Sequence, residues 1–560
     1  MVKNNKKSEI EKLKDEIDRL KKELKKRKKY GLVWEEKPEE VVEMCKEKLP
    51  VLKEVKNKEI ITNEDKPANL LIEGDNYHAL SVLNYTHAKK VDVIYIDPPY
   101  NTGAKNWKYN NHYVEKDDAF RHSKWLSMMD RRLSLAKNVL KSNGCLICAI
   151  DENEHANLSL LLGQIFPSHN IDSITVVHNP RGVQGKNFSY NHEYAVFVYP
   201  NLKEKYINNA QRSGTLIRNF RVDGSNSPRN TAKTCFYPFV IKKDKIVTVG
   251  DIVPDDFHPG KQTIEIKKGV FHVWPIDIKG IERKWSYSRN SVEEILSQLS
   301  VKKNSRGFEI YRSKEEAPYR TVWIGPKYDA NEYGSKLVNS ILGIQFPFPK
   351  SLYTVKECLV AVIKNKKDAI VLDFFAGSGT TGHAILEMNQ EDNGSRKFIL
   401  CTNNEGNICT EICYPRIKKV IEGYKNLKRE KVEGLGGNLK YFKVDEKTFV
   451  DAEPTDKNKI KLTEQATEML CVKEGTFEKV IDNKRFKIFK NSNYYTGIVW
   501  DQAAIPAFKK AIKNIKAKFS VYVFSLGDET FEDEFKYIKQ KVQLSPIPEA
   551  ILRVYRRIFK

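Results

Sequence analysis

The sequence has no apolar run of about 18 residues, the length that a helix needs to cross a membrane. Its amino terminus is rich in lysine and glutamate and lacks the apolar stretch of a signal peptide. Nine cysteines occur in 560 residues, an odd number without the spacing of a disulfide framework. These absences predict a cytoplasmic protein in a reducing compartment, without membrane-spanning segments.

The cysteines also lack the spacing of a metal site. Cys145 and Cys148 are spaced as Cys-x-x-Cys, but both lie within the apolar run 145–150. Residues three apart on a strand point to opposite faces, so we interpret these two as core thiols. Cys401, Cys409 and Cys413 have no matching second pair of ligands. We therefore expect no metal.

Acidic residues are in deficit. The chain has 96 Lys and Arg against 73 Asp and Glu, a formal charge of +23 and a pI near 9.3. Such a surplus predicts a polyanionic partner, with nucleic acid as the first candidate. A well-solvated surface would have the same composition, so the substrate must be inferred from motifs. The length predicts two to four domains.

The stretch 91–103 is typical of a short buried strand that ends at a proline pair. Asp97 would follow the strand's carboxyl end, where open α/β sheets bind ligands. Pro98 and Pro99 remove two backbone donors, which leaves the Pro98 carbonyl free. Asp97 and this carbonyl could accept hydrogen bonds from the exocyclic amine of a base, while Tyr100 stacks on its ring. The alternative is a structural strand and turn that happens to contain an aspartate.

A second buried strand, at 369–373, runs into a glycine-rich turn and then a helix. Glycines permit a ligand to approach the backbone closely, and a helix amino terminus favours an anionic group. Gly377, Gly379 and Gly382 also match the dinucleotide pattern G-x-G-x-x-G. That reading requires an acid at the end of the next strand, but Thr-Asn-Asn stands there before Glu405. No lysine follows the glycines as in a phosphate-binding P-loop.

Other stretches complete the pattern. The strand ending near Gly74 and the helix after it predict a β-α-β unit that puts Asp75 next to Asp97. Residues 101–118 are polar and aromatic without periodicity, which predicts a mobile loop over the active site. Residues 10–24 have the apolar spacing of a short coiled-coil seam, which fits either a dimerising helix or one docked on its own chain.

Two motifs carry a family resemblance. Asp97-Pro98-Pro99-Tyr100 resembles motif IV of the methyltransferases that modify adenine N6 in DNA, and the block 373–381 is similar to motif I of S-adenosylmethionine methyltransferases. Their order resembles the circularly permuted β class, most closely the modification (Mod) subunit of type III restriction–modification systems. The resemblance implies a Rossmann-like α/β methyltransferase fold with an inserted target-recognition domain, an N-terminal helix and a small C-terminal α/β module. The corresponding segments are 1–65 (helix and connector), 66–200 (catalytic half), 201–335 (target recognition), 336–445 (cofactor half) and 446–560 (C-terminal module).

The resemblance also assigns residues. It implies catalytic roles for Asp97, Pro98, Pro99 and Tyr100, and cofactor binding by Asp373, Phe375, Ala376, Gly377, Ser378, Gly379, Thr380, Asp75, Lys350 and Glu405. Phe346 and Lys350 resemble motif X, which lies beside the methionine part of the cofactor. Asp75 could instead be a helix cap. Glu405 departs from the family pattern because two asparagines precede it, so its role stays open.

The expected function is methylation of adenine N6 in double-stranded DNA by S-adenosylmethionine. The partners that the resemblance implies, besides DNA, are a second copy of the chain and a restriction (Res) helicase–nuclease subunit. No helicase or nuclease motif occurs in this sequence, so any restriction activity must come from another subunit. The alternatives are a solitary adenine or cytosine-N4 methyltransferase, an RNA or small-substrate methyltransferase, and a catalytically idle DNA-specificity subunit. Asp rather than Ser before Pro-Pro favours adenine over cytosine.

Overall fold

The computed structural model describes residues 32–63, 66–182, 187–492, 494–527, 529–538 and 541–559. The predicted seam at 10–24 lies outside these ranges. Contacts divide the chain into two compact units, residues 208–319 and the remainder. The predicted target-recognition segment, 201–335, contains the first of these units.

A ten-stranded sheet forms the centre of the larger unit. Its strands, in chain order, are β1 (Lys53–Glu54), β2 (Ala68–Gly74), β3 (Val91–Ile96), β4 (Leu140–Ile150), β5 (His169–Val176), β6 (Glu193–Pro200), β7 (Val322–Trp323), β8 (Ile370–Asp373), β9 (Lys397–Thr402) and β10 (Asn438–Val444). Across the sheet the order is β7-β5-β6-β4-β3-β8-β9-β2-β10-β1. Only β6 and β1 run against their neighbours.

Helices connect the strands. They are α1 (Glu40–Glu47), α2 (Asn76–Thr86), α3 (Arg121–Val139), α4 (His155–Ile165), α5 (Lys336–Leu342), α6 (Leu352–Ile363), α7 (Thr380–Asp392), α8 (Tyr414–Glu422), α9 (Asp456–Gln465), α10 (Thr467–Glu474), α11 (Ile505–Ile512), α12 (Glu532–Phe535) and α13 (Glu549–Ile558). Two π-helical segments, Asn331–Ser335 and Ile408–Cys413, directly precede α5 and α8. The crossovers β3-α3-β4 and β8-α7-β9 proceed in opposite directions across the sheet. Because such crossovers are right-handed, their helices cover opposite faces.

Both faces of the central strands are covered, which explains their sequence. All six residues of β3 are buried, as are the last three of β8 and the last five of β9. Strands buried on both sides read as continuous apolar runs rather than alternating ones. Cys145 and Cys148 are buried in β4 and free, and all nine cysteines of the chain are free.

Two expectations about local structure are wrong. Strands β8 and β9 lie between β3 and β2, so Asp75 is not next to Asp97. These two strands come from a later part of the chain, and a local β-α-β pattern cannot reveal that they lie between its own strands. The segment predicted as a loop contains a hairpin of strands Ala104–Tyr109 and His112–Glu115, in which Trp107 and Tyr109 are buried.

The unit 208–319 is built mainly from antiparallel strands. One sheet pairs Asn209–Asn219, Gly307–Pro318 and Leu299–Asn304 in that order, and a second pairs Lys245–Val249, Phe239–Lys242, Val270–Val273 and Thr263–Lys267. Its core stacks Phe220 on Trp285, with ring centroids 5.7 Å apart. Several arginines are held internally: Arg229 is buried and pairs with Glu282 at 3.0 Å, and Arg283 pairs with Asp277 at 2.7 Å.

The C-terminal segment has a five-stranded sheet, with the order Glu478–Asp482, Phe486–Lys490, Tyr494–Val499, Lys518–Phe524 and Val542–Ile547. It belongs to the larger unit. Its buried residues Tyr522 and Tyr555 join the same core cluster as β3, and the Tyr555 hydroxyl donates a hydrogen bond to the Pro50 carbonyl at 2.6 Å. In the described part of the chain, no helix is both long and apolar enough to span a membrane.

Candidate active site

The two sequence motifs meet at one edge of the sheet. Asp97 directly follows β3 and Asp373 ends β8, and these strands are parallel neighbours in which Ile94 pairs with Leu372. From this point the chain proceeds outward in both directions, through β4 on one side and β9 on the other. A crevice at the carboxyl ends of strands, at such a reversal, is where open α/β sheets bind ligands.

A cluster of four polar side chains forms the catalytic end of this crevice. The Lys350 ammonium lies 2.5 Å from Glu193 Oε2 and 3.3 Å from Asp97 Oδ1, and it also donates to the Tyr100 hydroxyl. The Tyr100 hydroxyl donates to Glu193 Oε2 at 3.1 Å. Lys350 Nζ stands 4.5 Å from the centre of the Tyr100 ring. The four groups therefore fix the orientation of the Tyr100 ring and the Asp97 carboxylate.

Burial and charge oppose each other in this cluster. Burial raises the pKa of Asp97 above its ordinary value, and Lys350 partly offsets the rise. Burial also disfavours the ionised form of Glu193, but the Lys350 ammonium outweighs burial and lowers the pKa of Glu193. The two carboxylates in turn hold the pKa of Lys350 above its ordinary value. One cation thus opposes the effect of burial on two neighbouring carboxylates.

Replacing Lys350 with methionine is expected to move the acidic limb of the pH–rate profile upward by about one pH unit or more, because an adjacent cation lowers a carboxyl pKa by that amount. The ionised Asp97 carboxylate is a stronger hydrogen-bond acceptor for an amine than the neutral acid, so activity falls as pH falls through its pKa. The measurement is the single-turnover rate from pH 5 to pH 9 at saturating cofactor and DNA. Lys336→Met, on an exposed side chain paired with Glu332, should leave the limb in place. An unshifted limb in Lys350→Met would contradict this account.

Hydrogen bonds from buried side chains hold the proline turn in place. The Trp125 indole donates to the Pro99 carbonyl at 2.7 Å, and the buried Asn101 donates to Glu154 at 2.5 Å. Asn101 has a φ of 57°, a left-handed conformation that asparagine tolerates better than most residues. The Trp107 indole donates to the Asn101 side chain at 3.1 Å, which ties the hairpin to the turn. The turn is consequently held before any substrate arrives.

The glycine-rich turn forms the other end of the crevice. Gly377 and Gly379 have φ of 50° and 80°, where a side chain would be strained. A Cβ at Gly377 would approach only the Phe375 carbonyl, at 3.9 Å, so the backbone there is open to a ligand. Ser378 and Thr380 are buried, and α7 begins at Thr380. The turn fits the amino-acid end of S-adenosylmethionine, which carries a carboxylate.

Asp373 is the acid that precedes this turn. Its carboxylate accepts hydrogen bonds from Phe375 N at 3.0 Å and from the Thr381 hydroxyl at 2.6 Å. Burial raises the pKa of Asp373 to about 7, although both hydrogen bonds oppose the rise. The folded protein therefore binds a proton at pH 5 that the unfolded chain has released.

Replacing Asp373 with asparagine is expected to stabilise the cofactor-free protein, and by more at pH 8 than at pH 5. A folded-state pKa raised above the unfolded value makes stability fall as pH rises from about 4 to about 7. The difference between the two pH values should be on the order of 2 kcal/mol. Thermal unfolding at both values measures it. Asp368→Asn, on the exposed surface before β8, should show the same change at both. A pH-independent effect of Asp373→Asn would contradict the shift.

The remaining predicted residues lie in different surroundings. Asp75 caps α2, accepting from Tyr77 N at 2.7 Å, and the adjoining Asn76 donates to the Phe374 carbonyl at 3.0 Å. Asp75 is thus beside the cofactor turn, and its helix-cap reading is correct. Glu405 is half exposed and forms an ion pair with Lys108 of the hairpin at 2.6 Å. The structure brings Lys350 to Asp97 and Tyr100.

Sequence reasoning missed Glu193 and Arg416. Glu193 opens β6, and no motif surrounds it. Arg416 lies on α8 and is fully buried against Ser378 and Thr380. Each reaches the site only because strand and helix order bring distant segments together. No signal in a single sequence distinguishes them from other charged residues.

The fold and these two motifs define an S-adenosylmethionine-dependent methyltransferase that acts on amino groups. A family model described as DNA methylase, for N6- and N4-methyltransferases, matches residues 91–413. The chain belongs to this family. The predictions of a DNA methyltransferase, of its fold and of S-adenosylmethionine as cofactor are therefore confirmed.

Individual relatives agree. The type II methyltransferase M.KpnI of Klebsiella pneumoniae is 31% identical over 404 residues, covering 66% of this chain and 91% of that protein. The type III EcoPI Mod subunit of Escherichia phage P1 is 29% identical, covering 60% of this chain and 58% of the subunit. The StyLTI Mod subunit of Salmonella typhimurium is 31% identical, covering 60% and 52%. The chain spans about half the length of the Mod subunits that it matches. The predicted relationship to them is confirmed.

Among solved structures, the M1.HpyAVI–SAM complex aligns with a TM-score of 0.29 at 13% identity. That alignment covers 62% of this chain and 98% of the other chain.

Proposed function

We propose that this protein methylates the N6 amino group of adenine in double-stranded DNA, as the modification subunit of a type III restriction–modification system. The observation that carries the proposal is the meeting of Asp97-Pro98-Pro99-Tyr100 with the glycine turn at one sheet edge. The net charge of +23 is consistent with a DNA substrate.

In this proposal the target adenine leaves the helix, which costs a few kcal/mol of unstacking, and stacks on Tyr100. Glu193 and Lys350 hold the Tyr100 hydroxyl, so the ring is oriented before the base arrives. Asp97 and the Pro98 carbonyl accept hydrogen bonds from the amine and direct its lone pair. The bound cofactor supplies a methyl group on a sulfonium centre. Most of the rate enhancement then comes from positioning.

The cofactor would be held by the turn Phe375 to Thr380 with Asp373 and Asp75. Gly377 leaves room for a ligand at the backbone, and α7 directs its amino terminus to the same place. In this proposal Lys350 orients the catalytic cluster as well as lying beside the cofactor. Glu405 forms an ion pair with Lys108, and in this proposal it binds the ribose hydroxyls of the cofactor when that ion pair opens.

The test is to incubate purified protein with genomic DNA and S-adenosylmethionine labelled in the methyl group, and then to digest the DNA to nucleosides. Label in N6-methyladenine is expected. Label in N4-methylcytosine would overturn the assignment of adenine as the target base. Cofactor binding without label in DNA would indicate an RNA substrate or a required partner subunit, and repeating the incubation with total RNA separates these.

The proposed partners are a second copy of the chain and a Res helicase–nuclease subunit. A DNA substrate and nine free cysteines support a cytoplasmic location. Affinity purification of the tagged chain from its own cells should recover a stoichiometric protein with helicase and nuclease motifs. Recovery of the chain alone would instead support a solitary type II enzyme, a second candidate favoured by the 91% coverage of M.KpnI.

A further inference from the structure

A buried cation lies against the cofactor turn. Arg416, on α8, has no exposed surface, and its Nη1 donates to Ser378 Oγ and Thr380 Oγ1, both at 2.9 Å. Nη1 also lies 3.3 Å from the Ser378 carbonyl, and Nη2 lies 3.4 Å from a ring nitrogen of His383. All four contacts are to residues at the start of α7.

Across the described ranges, no carboxylate forms an ion pair with this guanidinium. Glu387 acts on Arg416 only from beyond ion-pair distance and pairs instead with His383 at 3.7 Å, and the buried Nε of Arg416 has no hydrogen-bond partner. Burial lowers the pKa of Arg416 to about 10, so the group is still charged at neutral pH. An isolated buried charge is costly and is normally paired. Hydroxyl and carbonyl partners could equally well be satisfied by a neutral donor.

The charge has a natural counterpart in the ligand. S-adenosylmethionine carries a carboxylate, and the 13-residue helix α7 starts at the turn with its own partial positive charge. A cation in the water-poor interior behind this turn would add to that field, since charge interactions are less screened there.

We propose that Arg416 is a positioning residue whose buried charge increases the affinity of the turn for the carboxylate end of the cofactor. The guanidinium acts through Ser378 and Thr380, which it holds, and through its electrostatic field. It takes no part in methyl transfer. The inference rests on the cofactor's identity and is independent of the target base and of the partner subunit.

The test compares two ligands that differ only in the carboxylate, S-adenosylmethionine and its decarboxylated form. Replacing Arg416 with glutamine retains donor groups and removes the charge. We expect binding of S-adenosylmethionine to weaken about tenfold, and binding of the decarboxylated form to stay within about twofold. Isothermal titration of the full chain without DNA measures both affinities, so the result does not depend on activity.

Two further variants keep the test decisive. Arg416→Lys keeps the charge and should recover most of the affinity for S-adenosylmethionine. Lys418→Gln removes one exposed charge from the same helix and should change neither affinity. Equal losses for both ligands in Arg416→Gln would overturn the proposal and assign Arg416 a purely structural role, and so would unchanged affinities. If Arg416→Gln does not fold, Arg416→Lys decides, because lysine keeps the charge but not the set of donors of the guanidinium. Retained affinity for both ligands supports a charge effect, and equal losses for both ligands contradict it.

Discussion

The Asp97→Asn protein is expected to transfer methyl groups about 10²-fold more slowly than wild type or slower still, with an unchanged affinity for S-adenosylmethionine. Asparagine keeps the size of the side chain but loses the charge that attracts the amine. Its own amide hydrogens would compete with those of the base for the same position. The measurement is the single-turnover rate with labelled cofactor, together with the cofactor affinity from titration.

Asp151→Asn is the matched control. Asp151 follows β4, the neighbour of β3, and hydrogen-bonds to Asn153 instead of to the Lys350 cluster. Its replacement should change the rate by less than about threefold if position in the cluster, rather than charge at this edge, determines catalysis. Comparable losses in both variants would mean that Asp97 has no special role.

The second large effect is expected at the cofactor turn. Gly379→Ala should weaken S-adenosylmethionine binding by about 100-fold. A φ of 80° costs a residue with a Cβ roughly 1–2 kcal/mol. The added carbon would also lie 3.2 Å from Cys413 Sγ and 3.3 Å from Ile417, and crowding in a packed core costs about 1–3 kcal/mol. Relief of both requires the turn to change shape, which removes the cradle. Titration of the cofactor measures the loss.

Gly163→Ala controls for a change of glycine as such. Gly163 lies in α4, and a Cβ added there would meet nothing within 4 Å. Its cofactor affinity should equal that of wild type, with stability unchanged or slightly higher, because alanine favours helix. Normal cofactor binding by Gly379→Ala would refute the role given to the turn.

Much of the fold was predictable from the sequence because its strongest signals are local. The buried strands before Asp97 and Asp373, and the helices after Gly74 and after the glycine turn, are where the patterns predicted them. Continuous apolar runs indicate strands covered on both faces, and glycine followed by small polar residues indicates a turn into a helix. The hairpin at 104–115 was not predicted, because its pairing depends on the burial of Trp107 and Tyr109 against distant parts of the chain.

The composition of the catalytic cluster could not be predicted from the sequence. Tyr100 and Lys350 are 250 positions apart, and Glu193 lies between them in sequence without a motif. Only the insertion of β8 beside β3 brings Lys350 to Asp97. The interval from Asp97 to Asp373, spanned by a separate unit at 208–319, contains no local signal for that adjacency.

The sequence by itself determined the class of this protein. The chemistry of amine recognition and of cofactor binding resides in short contiguous segments, whose residue types follow from what each must do. The tertiary structure alone decided the order of the strands, and with it the separation of Asp75 from Asp97. It also decided that Lys350 pairs with two carboxylates and that the charge of Arg416 lies buried against the cofactor turn. These features depend on contacts between segments far apart in the chain, and such contacts are selected by packing and burial over the whole fold rather than by any local pattern.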